Sequence, residues 1–287
     1  MTLIQAILLG IVQGLTEFIP ISSTAHLVLA SRVLGLALGP EQLTASIAVI
    51  QLGTLIAVLI YFAGDIWNIS VAFIRDHLRL LTGGKNESTG RSLSQDARLG
   101  WLVVIGSLPV AIVGLLFKKQ IEGTFTKNLW VIATMMVVIA LLLALAEAVG
   151  KKQRQMQDLG VADAVIVGFA QCLALIPGSS RSGSTIMGGL FAGEARDTAA
   201  RFSFLLSIPA IAASGLLEMK EAVHRLPQGS LAALAVGTVI SGVVGYLSIW
   251  FLLRYLRTHT TGIFIGYRLI VGGIILILLS MGRLTAL

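Results

Sequence analysis

The amino-acid sequence predicts an all-α polytopic membrane protein, an inverted-topology repeat with six transmembrane helices and two re-entrant helical hairpins. Three observations carry this: recurrent uncharged stretches, two apolar segments that each break at a proline, and a sequence echo between the breaks. The 287-residue chain is 56% hydrophobic and only 12% charged, with a mean hydropathy of +0.90. A soluble domain carries roughly 25% charged residues, so an ordinary soluble fold is excluded.

No low-complexity segment or soluble domain interrupts residues 1–287, which read as a single integral membrane domain. The start, "MTLIQAILLGIVQGLTEF", lacks a basic n-region and an A-x-A-like cleavage site, so it is expected to be mature protein. Residues 2–16 are uncharged but run into Glu17 and Pro20, and a second short apolar piece, 27–38, follows. Two half-length pieces flanking a proline and a polar cluster predict a hairpin, 1–38, that enters the membrane and returns. Stretches at 43–62, 99–117 and 128–146 are then long enough to span, the last extended to 149. Between the first two lies the long polar stretch 75–98, "RDHLRLLTGGKNESTGRSLSQDAR", read as a loop or surface helix.

The pattern then repeats. Residues 164–180 are uncharged but run into Pro177, Gly178 and Arg181, and 182–193 form a second short piece, giving a hairpin over 161–193. Spans are predicted at 198–218 around the uncharged 202–217, at 230–253 within the uncharged 226–253, and at 262–282. Repeat one is therefore 1–149 and repeat two 161–287. The first break reads "GIVQGLTEFIPISST" from Gly10 and the second "GFAQCLALIPGSSR" from Gly168, sharing G-x-x-Q and I-P-x-S-S with one residue fewer between. A further echo places glycine at both ends of "GSLPVAIVG", 106–114, and "GTVISGVVG", 237–245. Three spans between the hairpins make the second enter from the opposite face, so the repeats are inverted. In such folds the site lies near the midplane, where the broken segments meet.

The net charge of +7 does not point to nucleic acid, because the basic residues are spread over short loops. They act as topology signals. With 63–98, 147–201 and 254–262 on the cytoplasmic side, twelve Lys and Arg lie there, leaving aside Arg181 within the hairpin, against seven on the other. Both termini are then expected outside. The single cysteine, Cys172, excludes an intramolecular disulfide and offers no metal-site spacing.

Glu17, His26 and Arg181 are ionisable residues expected at membrane depth, where a charge costs a few kcal/mol and marks function by default. A structural Glu–Arg pair pinning the hairpins is the plain alternative, but it leaves the serines around it unexplained. Gln13 and Glu17, spaced i, i+4, share one face of the first half-helix. Ser22, Ser23 and Thr24 fall where the next half-helix begins, and there Ser or Thr either caps the helix or meets a phosphate oxygen. Ser23 and His26, spaced i, i+3, could set a hydroxyl beside an imidazole, the minimal nucleophile and base. The second cluster, "PGSSRSGST" at 177–185, has glycines that let backbone approach a ligand, five hydroxyls, and a guanidinium fork suited to phosphate. No G-x-x-x-x-G-K-[ST] is present, which excludes a nucleotide P-loop. A phosphorylated lipid is the expected substrate, its tail in the bilayer and its headgroup in the polar pocket.

These residues resemble the undecaprenyl-pyrophosphate phosphatase family of the bacitracin-resistance type over nearly the whole chain. The (E/Q)-x-x-x-E motif is "QGLTE" at 13–17, followed by "PISSTAH" at 20–26, and P-G-x-S-R-S-x-x-T is "PGSSRSGST" at 177–185. Supporting stretches are "VIQLGTLIAV" at 49–58, "FSFLLSIPA" at 202–210 and "YRLIVGG" at 267–273. The resemblance implies hydrolysis of undecaprenyl diphosphate at the outer face of the bacterial plasma membrane, recycling the carrier for peptidoglycan. It implies Glu17 as metal ligand or base, Ser23 as nucleophile, His26 as acid/base and Arg181 as phosphate clamp. Ser22, Thr24, Gly178, Ser179, Ser180, Ser182 and Thr185 would support the substrate. A divalent cation, Mg²⁺ or Ca²⁺, is implied, held by Glu17 and Gln13; Gln at position 13 is a variation the pattern permits. His26 as nucleophile stays open, as does assembly into a homo-oligomer. The rival function is a transporter or flippase of phosphate or a phosphorylated lipid, since inverted repeats with broken helices also build transporters. The Glu17, Ser23 and His26 constellation argues against it, because transport needs no nucleophile beside a base.

Overall fold

The computed structural model describes residues 1–36, 40–82, 93–117, 128–222 and 231–286. Among them are eleven α-helices and, beyond an isolated bridge between Arg154 and Glu194, no β-structure. The helices are α1 (Leu3–Phe18), α2 (Ser23–Val33), α3 (Pro40–Tyr61), α4 (Ala63–Leu81), α5 (Gln95–Leu116) and α6 (Leu129–Val149). There follow α7 (Val161–Cys172), α8 (Arg181–Phe191), α9 (Arg196–Ala222), α10 (Leu231–Leu256) and α11 (Gly262–Ser280). Five stretches are long and apolar enough to cross a membrane: Glu41–Tyr61, Gln95–Leu116, Leu129–Val149, Leu231–Leu256 and Gly262–Ser280. The predicted run 202–217 lies inside the 27-residue α9. The polar stretch 75–98 contains the end of α4 and the start of α5, and its residues 83–92 lie outside the described ones.

The two broken segments are present as half-helices. At 1.5 Å per residue, α1 with 16 residues and α2 with 11 are each shorter than the roughly 30 Å hydrocarbon core. The same holds for α7 with 12 residues and α8 with 11. Pro20 ends the first half, because a residue before proline is driven out of the α region; Ile19 is extended at φ −68°, ψ 134°. Each second half starts from a serine in an unusual conformation. Ser22 has φ 82° and its hydroxyl accepts from the Ala25 amide, while Ser180 has φ 66° and accepts from the Gly183 amide. Positive φ at a residue with a side chain is strained and needs surrounding structure to hold it.

These twin caps correct the alignment read from sequence. Matching the prolines pairs Ser22 with Ser179, yet the structural twin of Ser22 is Ser180. The residue missing before the second proline is restored after it by Gly178 at φ 91°, so Gln13 to Ser22 and Gln171 to Ser180 both span nine positions. Ser23 and Arg181 are therefore equivalent first residues of α2 and α8.

The glycine echoes have a packing cause. α1 lies along α10 and α7 along α5. A methyl group on Gly10 would strike the carbonyl of Gly237, and one on Gly168 would come within 2.5 Å of the carbonyl of Gly106. Small residues permit this backbone contact between helices. Each hairpin is thus seated against a long helix of the other predicted repeat. Phe18 at the end of α1, Phe62 and Phe204 of α9 form a buried aromatic cluster beside the break, with Phe18 and Phe204 edge to face at 5.4 Å.

The segments assigned to one face by charge are tied together at one end. Arg196 pairs with Glu147, whose carboxylate also accepts from the Thr261 hydroxyl at 2.8 Å; Arg201 pairs with Asp65 at 2.6 Å, and Arg98 donates to the Leu159 carbonyl at 2.9 Å. Segments assigned to the opposite face meet as well, through Arg32 on the Thr285 carbonyl and the Leu129 amide on Ala286.

In the turn between α8 and α9, Glu194 is fully buried and neither carboxylate oxygen has a hydrogen-bond partner among the described residues. Burial raises its pKa to about 8; Asp163 pushes the same way and Arg154 opposes. Unfolded, the carboxyl titrates near 4.5, so between those values the native chain holds a proton that the unfolded chain has lost. Stability therefore falls as pH rises through this window, by up to about 1.4 kcal/mol per pH unit. Glu194→Gln is expected to flatten the fall in melting temperature between pH 5 and pH 8 and to raise it at pH 8. An unchanged slope in thermal melts would remove Glu194 as its source.

Candidate active site

The last two turns of α1 carry Gln13 and Glu17 on one face, as their spacing requires. The Gln13 amide donates to Glu17 Oε2 at 3.0 Å, leaving Gln13 Oε1 buried and without a partner among the described residues. Arg181, first residue of α8, donates to Glu17 Oε1, so the ion pair joins the two breaks. Glu17 is 5% exposed at its side chain and Arg181 19%. The guanidinium sits at the positive end of α8, where free amides also favour an anion.

Hydroxyls surround this pair. Ser180 and Ser182 lie 3.2 Å apart through their oxygens, and Thr185 is bonded to the Arg181 carbonyl at 2.8 Å and to the Ser203 hydroxyl at 2.5 Å. Ser179 is fully buried and its hydroxyl has no partner among the described residues. A void of about 10 Å³, the room of roughly one water, lies among Glu17, Phe18, Arg181, Ser182, Ser203, Phe204, Ser207 and Ile211. A diphosphate needs more space than that, so the site is closed as it stands.

The first break supplies a second group. His26 Nδ1 lies 2.7 Å from the Ser22 carbonyl and Nε2 lies 2.7 Å from the Tyr267 hydroxyl, with the two rings stacked at 5.6 Å. A carbonyl can only accept, so Nδ1 carries the proton; in the neutral ring, Nε2 then accepts from Tyr267. Both ring nitrogens are thus engaged, and no Ser23–His26 hydrogen bond is made here. The Ser23 hydroxyl is half-buried and has no hydrogen bond among the described residues, and Thr24 is exposed.

Beneath both breaks lies Arg268, the largest fully buried side chain among the described residues. It donates to five carbonyls: Pro20 at 3.3 Å in the first break, Gly178 at 2.9 Å and Ser179 at 3.1 Å in the second, and Met135 and Met136 of α6 at 3.3 and 3.1 Å. Each peptide whose carbonyl turns toward Arg268 turns its amide away, so the guanidinium helps set the backbone beside the strained caps. The span 262–282 reads as apolar, yet it delivers this cation. Tyr267, Arg268, Ser203 and Ser207 escape motif reading, although they lie within stretches that resemble the family.

These features define the class: a polytopic helical membrane protein with a candidate anion site where two broken helix pairs meet. The chain belongs to the bacitracin resistance protein BacA family, whose model matches residues 6–274. It is similar to the undecaprenyl-diphosphatase of Syntrophobacter fumaroxidans, 51% identical over 278 residues, 96% of this chain and 97% of that one. It is also similar to the undecaprenyl-diphosphatases of Chloroherpeton thalassium, 48% identical with both chains covered in full, and Mycolicibacterium gilvum, 46% identical with the same coverage.

Proposed function

We propose that this chain dephosphorylates undecaprenyl diphosphate to undecaprenyl phosphate and inorganic phosphate, recycling the lipid carrier for peptidoglycan synthesis and conferring bacitracin resistance. The observation that carries this is the Glu17–Arg181 pair joining the two breaks, set among hydroxyls and a helix N-terminus. Family membership and the relatives' names support the substrate.

Phosphoryl transfer asks mainly for positioning and charge neutralisation. The incoming terminal phosphate takes the Arg181 fork from Glu17, and the α8 amides with Ser180 and Ser182 complete its cradle. Ser23, whose hydroxyl is uncommitted, attacks phosphorus; the bridging P–O bond breaks and undecaprenyl phosphate leaves with the electron pair. Water then cleaves the phosphoserine. His26 Nε2 exchanges the Tyr267 hydroxyl for the reacting group, taking a proton in the first step and returning it. His26 as the nucleophile remains the alternative; a trapped phosphohistidine in Ser23→Ala would establish it.

No group of three or more His, Cys, Asp or Glu stands ready for a metal among the described residues. Glu17 with the orphaned Gln13 Oε1 nonetheless fits Mg²⁺ or Ca²⁺ held largely by substrate oxygens and water. Bound there, the cation would neutralise phosphate charge. The orientation that puts both termini outside gives a site opening toward the outer face of the inner membrane, with repeats at 1–149 and 161–287.

The test is phosphate release from a long polyprenyl diphosphate by purified protein in detergent with Mg²⁺. No release, together with substrate-dependent flux in liposomes, would replace hydrolysis with transport. Tyr267→Phe keeps the ring stack but removes the hydroxyl that Nε2 gives up to the reacting group; kcat is expected to be unchanged or raised by up to about tenfold, the worth of one resting-state hydrogen bond. In a His26→Ala background it should change nothing. A loss of activity in either background would place Tyr267 on a separate task.

A further inference from the structure

A groove of about 460 Å³ runs along α4, lined by Val71, Ile74, Arg75, Leu78, Arg79 and Thr82, none of them part of the active site. α4 has three faces. One is packed: Ala72 and Asp76 are buried, and Ile69 and Phe73 close over Gly100 of α5. The second is an apolar stripe at helical spacing, Trp67, Val71, Ile74, Leu78 and Leu81, between 42 and 83% exposed. On the flank between them stand Arg75 and Arg79, one turn apart.

α4 is not among the five stretches long and apolar enough to cross, and only Phe62 separates it from α3. It therefore starts at a membrane edge. An amphipathic helix with a tryptophan-bearing apolar face and arginines beside it lies in the membrane surface. Arg75 Nε donates to Asp76 at 3.0 Å, but Asp76 is also held by the Ser94 amide at 2.7 Å, and the end of the Arg75 fork has no hydrogen bond among the described residues. The Arg79 side chain has no hydrogen-bond or ion-pair partner among them; its carbonyl accepts from the Thr82 hydroxyl at 3.1 Å. Like charges at i, i+4 repel, so an anion lodged between the two forks is favoured.

We infer that the outer face of α4 is a binding site for one anionic phospholipid, its phosphate between Arg75 and Arg79 and an acyl chain along Val71, Ile74 and Leu78. The apolar stripe is what favours a lipid over free phosphate. Full-length protein is titrated with phosphatidylglycerol or phosphatidylcholine and retained lipid is counted by native mass spectrometry. Phosphatidylglycerol is expected to bind more tightly, and Arg79→Gln to weaken it about fivefold, Arg75→Gln/Arg79→Gln about twentyfold or more. Phosphatidylcholine binding should not move, and thermal melts confirm folding. Should the double variant unfold because Arg75 braces Asp76, Arg79→Gln alone decides, since it braces nothing. Unchanged phosphatidylglycerol affinity, equal affinity for both lipids, or displacement of phosphatidylglycerol by millimolar inorganic phosphate would overturn the site.

Discussion

Arg181→Ala is expected to lower kcat for phosphate release about 10³-fold, at the lower end of what removing an arginine from a phosphoryl-transfer site costs. The same substitution leaves Glu17 buried without its cation, and breaking a buried pair from one side costs about 3 to 5 kcal/mol in stability. Activity and folding must therefore be separated. Glu17→Gln/Arg181→Gln removes both charges and is expected to regain most of the lost melting temperature while remaining inactive. Recovery of activity along with stability would reduce the pair to a structural pin. Arg181→Lys keeps the charge but loses the planar fork, and should stay well below the parent in kcat.

Arg268→Leu is expected to be the most disruptive single substitution. It withdraws a donor from five carbonyls in three separate segments, those of Pro20, Gly178 and Ser179 lying in the breaks outside any helix, and an unsatisfied buried polar group costs about 1 to 3 kcal/mol. A loss of at least about 3 kcal/mol follows even if water or backbone shifts satisfy most of them. Arg268→Lys offers three donors from a single point and cannot reach all five acceptors, so a folded protein with reduced kcat and near-normal KM is expected. Chemical unfolding in detergent and steady-state kinetics test the two variants. A leucine variant as stable as the parent would show that the carbonyls do not depend on this side chain.

Much of the architecture was legible because lipid imposes it. Spans and broken segments follow from charge-free lengths and two prolines, and the pairing of Gly10 with Gly237 and Gly168 with Gly106 stands behind an echo that abundance alone could have produced. Glu17 and Arg181 were legible because a charge at membrane depth demands a partner. Arg268 satisfies the same criterion and was hidden by the apolar residues on both sides of it; the signal was present in "YRLIVGG". The Ser22–Ser180 equivalence was not readable, since a proline-anchored alignment cannot see that an insertion on one side offsets a deletion on the other. The partners of His26 were not readable for a geometric reason: i, i+3 spacing puts Ser23 nearby, but the imidazole turns to the Ser22 carbonyl and to a tyrosine 241 positions away.

The closed Glu17–Arg181 pair has a consequence for which anions the protein can hold. Any anion entering must evict Glu17 from the guanidinium, exchanging one negative partner for another at little net gain. A bare phosphate brings nothing further to the exchange, whereas a diphosphate on a polyprenyl tail brings a second phosphoryl group and anchorage in the bilayer. On the proposed mechanism the resting site thus discriminates against the inorganic product, which is released as the latch recloses.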